Sequence, residues 1–290
     1  MKKILIVLAA LLLPALVLAQ SVIRMSAVPD GSPEDVQRRY GLLASYLEGE
    51  IKTKVEFVYL RSYEDVIAGL VEKKVDLAYV GGFAFVQVEM MSSGAAAPIV
   101  QREEDRAYVS VIIANPNSGI EKLADLKGKL FTFGPLISTS GSLMPRYFLR
   151  EENLSPEKDF KRVSYSKGHE QTEKAVEGGR VDAGAMSGAV WERMVKSNKV
   201  NAERAKVIWT SPPYIDNTWM VTSAVEQATV KKLVDAFLKL DKQIPEHKEI
   251  LEVQHATRYV KNSAGDYGNI EQAARRAGLL GCQPWACERP

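Results

Sequence analysis

Apolar and polar positions along this chain follow two rhythms that repeatedly replace one another. Val22 to Ala27 is a short, apolar, β-prone run. Pro29-Asp30-Gly31 breaks it, and from Ser32 and Glu34 to near Glu50 the residues Val36, Tyr40, Leu43, Tyr46 and Leu47 fall at helical spacing. Lys54 to Leu60 reads as a second strand, Ser62 to Lys73 as a helix capped by Ser62, and Val75 to Val80 as a third strand. That strand runs into Gly81-Gly82 and a helix through Phe85 and Val88, and Pro98 to Gln101 is a fourth, short strand. The middle of the chain repeats the alternation. Strands are predicted over Val109 to Ala114, Leu130 to Phe133, Lys161 to Ser166 and Val181 to Ala185, and helices over Ile120 to Leu126, Gly141 to Arg150, Glu170 to Gly178 and on through Val195. Val207 to Thr210 and Met220 to Thr222 are strand-like, and helical stretches carry the chain to its C-terminus.

Repeated β-helix-β units of this length imply an α/β fold whose sheets are mostly parallel, with helices on both faces. No linker, low-complexity tract or tandem repeat interrupts the pattern. The spacing therefore predicts two doubly wound lobes joined by two strand crossings, near residues 105–112 and 208–220. Residues 20–108 and 216–290 would form lobe 1, and residues 109–215 lobe 2.

The two ends of the chain add an address. Met1-Lys2-Lys3 precedes an apolar run from Ile4 to Leu18, with the small residues Val17 and Ala19 before Gln20. This is the pattern of a secretory signal peptide, 1–19, cleaved after Ala19; the run is short of the roughly 20 residues that a membrane span needs. No Cys lies near the cut, so a free periplasmic protein is expected rather than a lipoprotein. Lys2 and Lys3 carry the whole formal excess of +2, so the processed chain is neutral and offers no electrostatic footprint for nucleic acid or an anionic membrane. Cys282 and Cys287, both near the C-terminus, read as a local disulfide or as free thiols.

Candidate chemistry is sparse and concentrated in loops. Ser138-Thr139-Ser140-Gly141 leaves a predicted strand and opens a predicted helix. Three successive hydroxyls beside free N–H groups at a helix start can cradle an anion without formal positive charge, or one of them can serve as an ordinary N-cap. His169, Tyr79 and Ser187-Gly188 sit at strand-to-helix loops, which in such sheets converge on the ligand crevice. Asp216 follows Pro212-Pro213-Tyr214-Ile215 where the chain would return between lobes; a carboxylate there suits an oxyanion that keeps a proton, because it can accept that P–OH or As–OH bond. Glu103-Glu104-Asp105 reads as solvated loop charge. No nucleophile elbow, Walker-type lysine loop, paired-His metal motif or Cys-His arrangement occurs, so no catalytic residue, metal or cofactor is expected.

In order and spacing, several segments resemble the type 2 periplasmic substrate-binding proteins of the phosphate/phosphonate/phosphite-binding subfamily that serve ABC importers. They are Asp76 to Gly82, Ala124 to Lys129, Ser138 to Gly141 followed by Pro145, Gly168-His169, Gly179 to Ala183 and Ser211 to Asp216. The resemblance covers essentially the whole processed chain and implies a non-enzymatic clamp closing on a small oxyanion. Ser138, Thr139 and Ser140 would ligate its oxygens, His169 would donate to one, Asp216 would take its proton, and Tyr79 or a neighbour would cover it. Relatives that hold an aminoalkyl ligand carry a carboxylate after the Val-Asp-Ala strand. Gly184 to Val190 has none, which favours phosphite, phosphate or methylphosphonate, with arsenate or selenate as further options. The absence of a Cys from the candidate cleft segments disfavours arsenite. The implied partner is an ABC permease in the inner membrane or, as the alternative, a membrane histidine kinase that senses the loaded form; a monomer is expected.

Overall fold

The structure is a computed structural model and describes residues 22–280. The predicted signal peptide and both Cys282 and Cys287 lie outside the described residues. In chain order the strands are β1 (Val22–Ala27), β2 (Lys54–Phe57), β3 (Leu77–Val80), β4 (Ala96–Arg102), β5 (Ser110–Ala114), β6 (Leu130–Phe133), β7 (Arg162–Tyr165), β8 (Ala183–Ser187), β9 (Lys206–Thr210), β10 (Thr218–Thr222) and β11 (Tyr259–Lys261). The helices are α1 (Pro33–Ile51), α2 (Tyr63–Val71), α3 (Gly82–Met91), α4 (Met144–Glu151), α5 (Pro156–Asp159), α6 (His169–Glu177), α7 (Gly188–Lys196), α8 (Gln227–Lys239), α9 (Pro245–Val253) and α10 (Gly268–Ala277).

Local chemistry sets the helix starts. Ser32 accepts the N–H of Asp35 at 3.2 Å, with Pro33 in the first turn of α1, and Ser62 caps α2 through the N–H of Asp65 at 3.0 Å. In α1 the helical stripe of Val36, Tyr40, Leu43 and Leu47 is buried. β3 is buried throughout because it serves two cores: Leu77 and Tyr79 face one with α1 and α8, while Ala78 and Val80 face the other with α2 and α3.

The strands form two sheets, ordered β11-β4-β10-β3-β1-β2 and β7-β6-β8-β5-β9. Each carries helices, giving the two α/β lobes that the alternation predicts. The expectation of mostly parallel sheets is corrected. β1 pairs in parallel with β2 and β3, and β6 with β7 and β8, but β10 runs antiparallel to β3 and β4, and β5 antiparallel to β8 and β9. The crossings are the reason: the chain leaves the first sheet along β4 and returns beside it along β10, and in the second sheet β5 enters beside the departing β9. β11, on the far side of β4, is a strand within the C-terminal region expected to be helical.

The crossings run antiparallel to each other. Tyr108 and Tyr214 exchange backbone hydrogen bonds at 2.8 and 2.9 Å, and the N–H groups of Asp216 and Ser211 reach the carbonyls of Asp105 and Ser110, each at 2.9 Å. The Ser110 and Tyr214 hydroxyls pair at 2.6 Å beside them. α10 straddles the lobes: Ile270, Ala273 and Ala274 share a core with Phe83 and Phe85 of α3 and with Leu143 and Met144 at the start of α4.

The reading of Glu103-Glu104-Asp105 as solvated charge is also corrected at its third residue. Asp105 is fully buried, and its carboxylate accepts from Arg102 at 2.8 and 2.7 Å, from the Tyr79 hydroxyl at 2.9 Å and from the Asn217 amide at 3.0 Å. Removing one member of a buried ion pair strands the other's charge. Asp105→Ala should therefore lower unfolding stability by about 3–5 kcal/mol in a urea titration, well beyond the loss from Glu103→Ala on the exposed side of the same turn. Equal effects would show that Asp105 carries no special weight.

Candidate functional site

The loop after β6 folds into a tight π-helical turn, Thr139–Leu143, before α4. Ser138 caps it by accepting the Gly141 N–H at 3.0 Å, so one of the three hydroxyl residues is an N-cap and the two that follow stand free of that task. The turn packs close to its neighbours. A Cβ at Gly141 would lie 2.9 Å from His169 Cε1 and 3.0 Å from Gly134 Cα, which explains glycine there.

His169 is the first residue of α6. Its Nδ1 accepts the Ser187 N–H at 3.1 Å, and its Nε2 lies 3.5 Å from Ser138 Oγ. Burial lowers its pKa, so the ring is neutral near pH 7. With Nδ1 occupied as an acceptor, the remaining proton sits on Nε2, which faces the hydroxyls. Ser187 is held in turn by the Tyr108 hydroxyl at 2.6 Å.

The first lobe meets this turn through the start of α3. The Phe83 N–H donates to Thr139 Oγ1 at 3.0 Å, and the Gly82 N–H donates to Asp216 Oδ1 at 2.9 Å. A Cβ at Gly81 would come within 2.8 Å of Thr139 Oγ1 and 3.3 Å of Asp216 Oδ1, so glycine permits this approach.

These groups enclose a small cavity of about 30 Å³ between the sheets. Tyr79, Ser138, Thr139, Ser140, His169 and Asp216, the six residues singled out in the sequence, all line it. Tyr79 does so with its hydroxyl committed to Asp105, and it offers a ring face rather than a free donor. Other walls were not foreseen. Tyr40, Tyr63 and Tyr108 supply aromatic faces, and Asp30, Arg39, Arg102 and Arg193 supply charge. Tyr40 had registered only as a helical core position. The charged residues resemble those of any solvated helix face or loop, so no pattern marks them.

Among the cations at this wall, Arg102 is matched by Asp105 and Arg193 by Asp30 at 2.9 Å. Arg39, the third arginine of the wall, lies over the Tyr40 ring at 5.9 Å from its centroid. What the interior presents to a ligand is therefore hydroxyls, a neutral imidazole N–H, one carboxyl group and this guanidinium. Such a pocket can hold a small oxyanion bearing a proton.

Two α/β lobes, two crossings and a buried polar pocket between them define a type 2 periplasmic binding protein. Residues 25–267 match the family described as "ABC transporter, phosphonate, periplasmic substrate-binding protein", and the chain belongs to that family, whose members are transport receptors rather than enzymes. It is 32% identical over 271 residues to a probable ABC transporter phosphite binding protein, PhnD1, of Prochlorococcus marinus, covering 89% of this chain and 91% of the relative. It is 31% identical over 211 residues to the phosphonates-binding periplasmic protein of Escherichia coli, covering 71% and 62%. The Prochlorococcus PhnD1 structure in complex with methylphosphonate superposes with a TM-score of 0.85 at 30% identity, over 89% of this chain and 99% of that one.

Burial raises the pKa of Asp216 from its ordinary 3.8 to about 7, against the lowering effect of the Gly82 N–H and Thr139 hydroxyl bonds. The folded protein thus keeps a proton that the unfolded chain releases near pH 4. Stability must fall as pH rises from about 4 to about 7. Buried Glu173, also raised to about 7, contributes in the same direction, so the comparison with Asp216→Asn isolates Asp216. In ligand-free protein the variant should lose roughly 2–4 kcal/mol of that decline in denaturant titrations at pH 4 and pH 8. Parallel profiles for the two proteins would place the Asp216 carboxyl in a far more polar setting.

Proposed function

We propose that this protein captures a small phosphorus oxyanion, of the size of phosphite, phosphate or methylphosphonate, in the periplasm and hands it to the permease of an ABC importer. The observation that carries the reading is the small cavity of about 30 Å³ between the lobes, with Ser138, Thr139, Ser140 and the His169 Nε2–H on one side and Asp216 on the other. Its size suits an ion with at most a short substituent. Its lining suits an ion with several equivalent oxygens, one of them protonated. The names of the similar proteins point the same way, to phosphite, phosphonates and methylphosphonate. They lend no support to arsenate, selenate or a kinase partner, which stand outside this proposal.

In the proposed cycle, residues 20–108 with 216–290 and residues 109–215 move as the two lobes. Closure brings the start of α3 onto the Ser138–Ser140 turn. The two hinge segments, joined at Tyr108 and Tyr214, are short and hydrogen-bonded to each other, which favours rotation over shear. The free lobes expose the hydroxyls; closure surrounds the ion. Export by the predicted signal peptide, cleaved after Ala19, belongs to this reading, and so does action as a monomer.

One proton is shared between Asp216 and the ligand in the complex. A phosphoryl group has its second ionisation near about 6, and Asp216 titrates at about 7. Above both values each partner is ionised and binding must recruit a proton, so affinity should fall about tenfold per pH unit. Isothermal titration calorimetry with phosphite, methylphosphonate, phosphate and sulfate tests the proposal. Binding of the phosphorus oxyanions in preference to sulfate, which brings no proton of its own, and a decline above pH 7 are expected. Thr139→Ala and Ser140→Ala should each weaken binding by about 1.5–3 kcal/mol. No heat with any phosphorus oxyanion would overturn the reading.

A further inference from the structure

The small inner cavity shares one wall with a much larger one. Asp30, Arg39, Arg102, Tyr108 and Arg193 line both the 30 Å³ space and an outer cavity of about 710 Å³. Elsewhere the inner walls are fixed. Tyr40, Tyr63 and Tyr79 belong to the cores of the first lobe, and the Ser138–Ser140 turn is pressed against Gly81. A ligand too large for the inner space therefore has one direction in which to extend.

Within the shared wall, two members are anchored from behind. Arg102 is tied to Asp105 and, at 2.9 Å, to the Gln254 carbonyl, while Tyr108 is held by Ser187 and by the hinge bridge. Asp30 and Arg193 differ. Asp30 lies between β1 and α1 in the first lobe, Arg193 lies on α7 in the second, and Arg193 Nη2 donates to Asp30 Oδ2 at 2.9 Å. Among the described residues the other ion pair between elements of the two lobes is Arg276–Glu151, at 3.6 Å, and it lines neither cavity. The Asp30–Arg193 contact is thus the joint of this wall that must part when the lobes separate. It is only partly shielded, with side chains 21% and 27% exposed.

We propose that the Asp30–Arg193 pair is a cross-lobe latch that sets the upper size of the ligand, admitting oxyanions with no substituent or a methyl group and rejecting longer alkyl substituents. This rests on the reading of the inner cavity as the oxyanion site. An ethyl or propyl chain leaving that cavity would stand between the carboxylate and the guanidinium. Both half-buried charges would then lose their partner to an apolar group, a penalty added to any steric one. Burial works to raise the Asp30 pKa, but Arg193, His169 and Arg39 outweigh it and hold the group at about 2, so the latch stays charged through the working pH range. On the second-lobe side the faces packed against it carry Glu170, Glu192 and Lys196, and on the first-lobe side Asp35, Arg38, Glu104 and His255.

The test is the ratio of dissociation constants for ethylphosphonate and methylphosphonate, measured by calorimetry at pH 7. For the wild type this ratio should be about tenfold or more. In the double variant Asp30→Ala/Arg193→Ala it should shrink to within about threefold, with propylphosphonate becoming measurable. The charge swap Asp30→Arg/Arg193→Asp should restore much of the discrimination, which a cavity made by simple truncation would not do. Circular dichroism melts establish that each variant is folded, and Arg193→Met serves if the double variant is not. A wild type that binds both ligands alike, or a folded variant that keeps the wild-type ratio, overturns the latch and leaves the oxyanion site standing. A wild type that binds neither ligand, nor phosphite, overturns both.

Discussion

One buried carboxylate, Asp105, accepts hydrogen bonds from Arg102, Tyr79 and Asn217, while its main-chain carbonyl accepts from the N–H of Asp216. These four partners come from the end of β4, from β3, from the approach to β10 and from the returning crossing. The carboxylate therefore fastens the first crossing, the second crossing and the central strand of the first sheet at one point. Its desolvation is offset by five hydrogen bonds, two of them from a guanidinium, which is the condition under which a buried charge is tolerated. The position of Asp216 follows from this node, because residue 216 is hydrogen-bonded to residue 105 by its backbone before its side chain reaches Gly82.

From that fixed root the cleft is assembled by close backbone approach. Gly81 lets the start of α3 meet Thr139 and Asp216, and Gly141 lets the Ser138–Leu143 turn meet His169. His169 is oriented by Ser187, Ser187 by Tyr108, and Tyr108 by the bridge to Tyr214. A chain of hydrogen bonds thus connects the hinge to the imidazole that faces the pocket. In the proposed cycle, this chain would couple rotation at the hinge to presentation of the Nε2–H by direct contact.

Much of this was legible in the sequence. Ser32 and Ser62 announced helices because a cap is a local requirement, and β3 was visible because its residues are apolar without interruption, β1 and β6 because apolar, β-prone residues predominate in them. The six candidate residues came together because loops that follow strands of one sheet must share an edge. Other features left no such trace. Strand direction has no sequence signature, so the antiparallel entries of β5 and β10 were missed. β11 is only three residues long, too short for a period to register. Asp105 sits beside two ordinary surface acids, and only Arg102, three residues before it, converts it into a buried partner. Asp30 and Arg193 are 163 positions apart, and their pairing is a property of lobe closure alone.

Under the proposed reading, the pocket's chemistry would let an anion be held selectively with little help from net charge. Uncompensated arginines would attract any anion and hold it by charge, with little regard to protonation. Here Arg102 and Arg193 are each matched by a carboxylate, and what remains beside Arg39 is a set of dipoles around the cavity: the hydroxyls of Ser138, Thr139 and Ser140 and the Nε2–H of His169. Dipoles favour an anion only in a fixed geometry and at short range. Asp216 adds a demand that charge alone could not impose: ionised, it repels a fully ionised ligand and accepts a bond from a protonated one, and below about pH 7 it carries the proton itself. In the proposed reading, discrimination among oxyanions would arise from the count of protons in the closed cleft, and discrimination by size from the wall that closes it. A receptor of this family must both hold its ligand and release it to a transporter, and under the proposed reading a largely dipolar pocket beside the Asp30–Arg193 pair would serve both requirements.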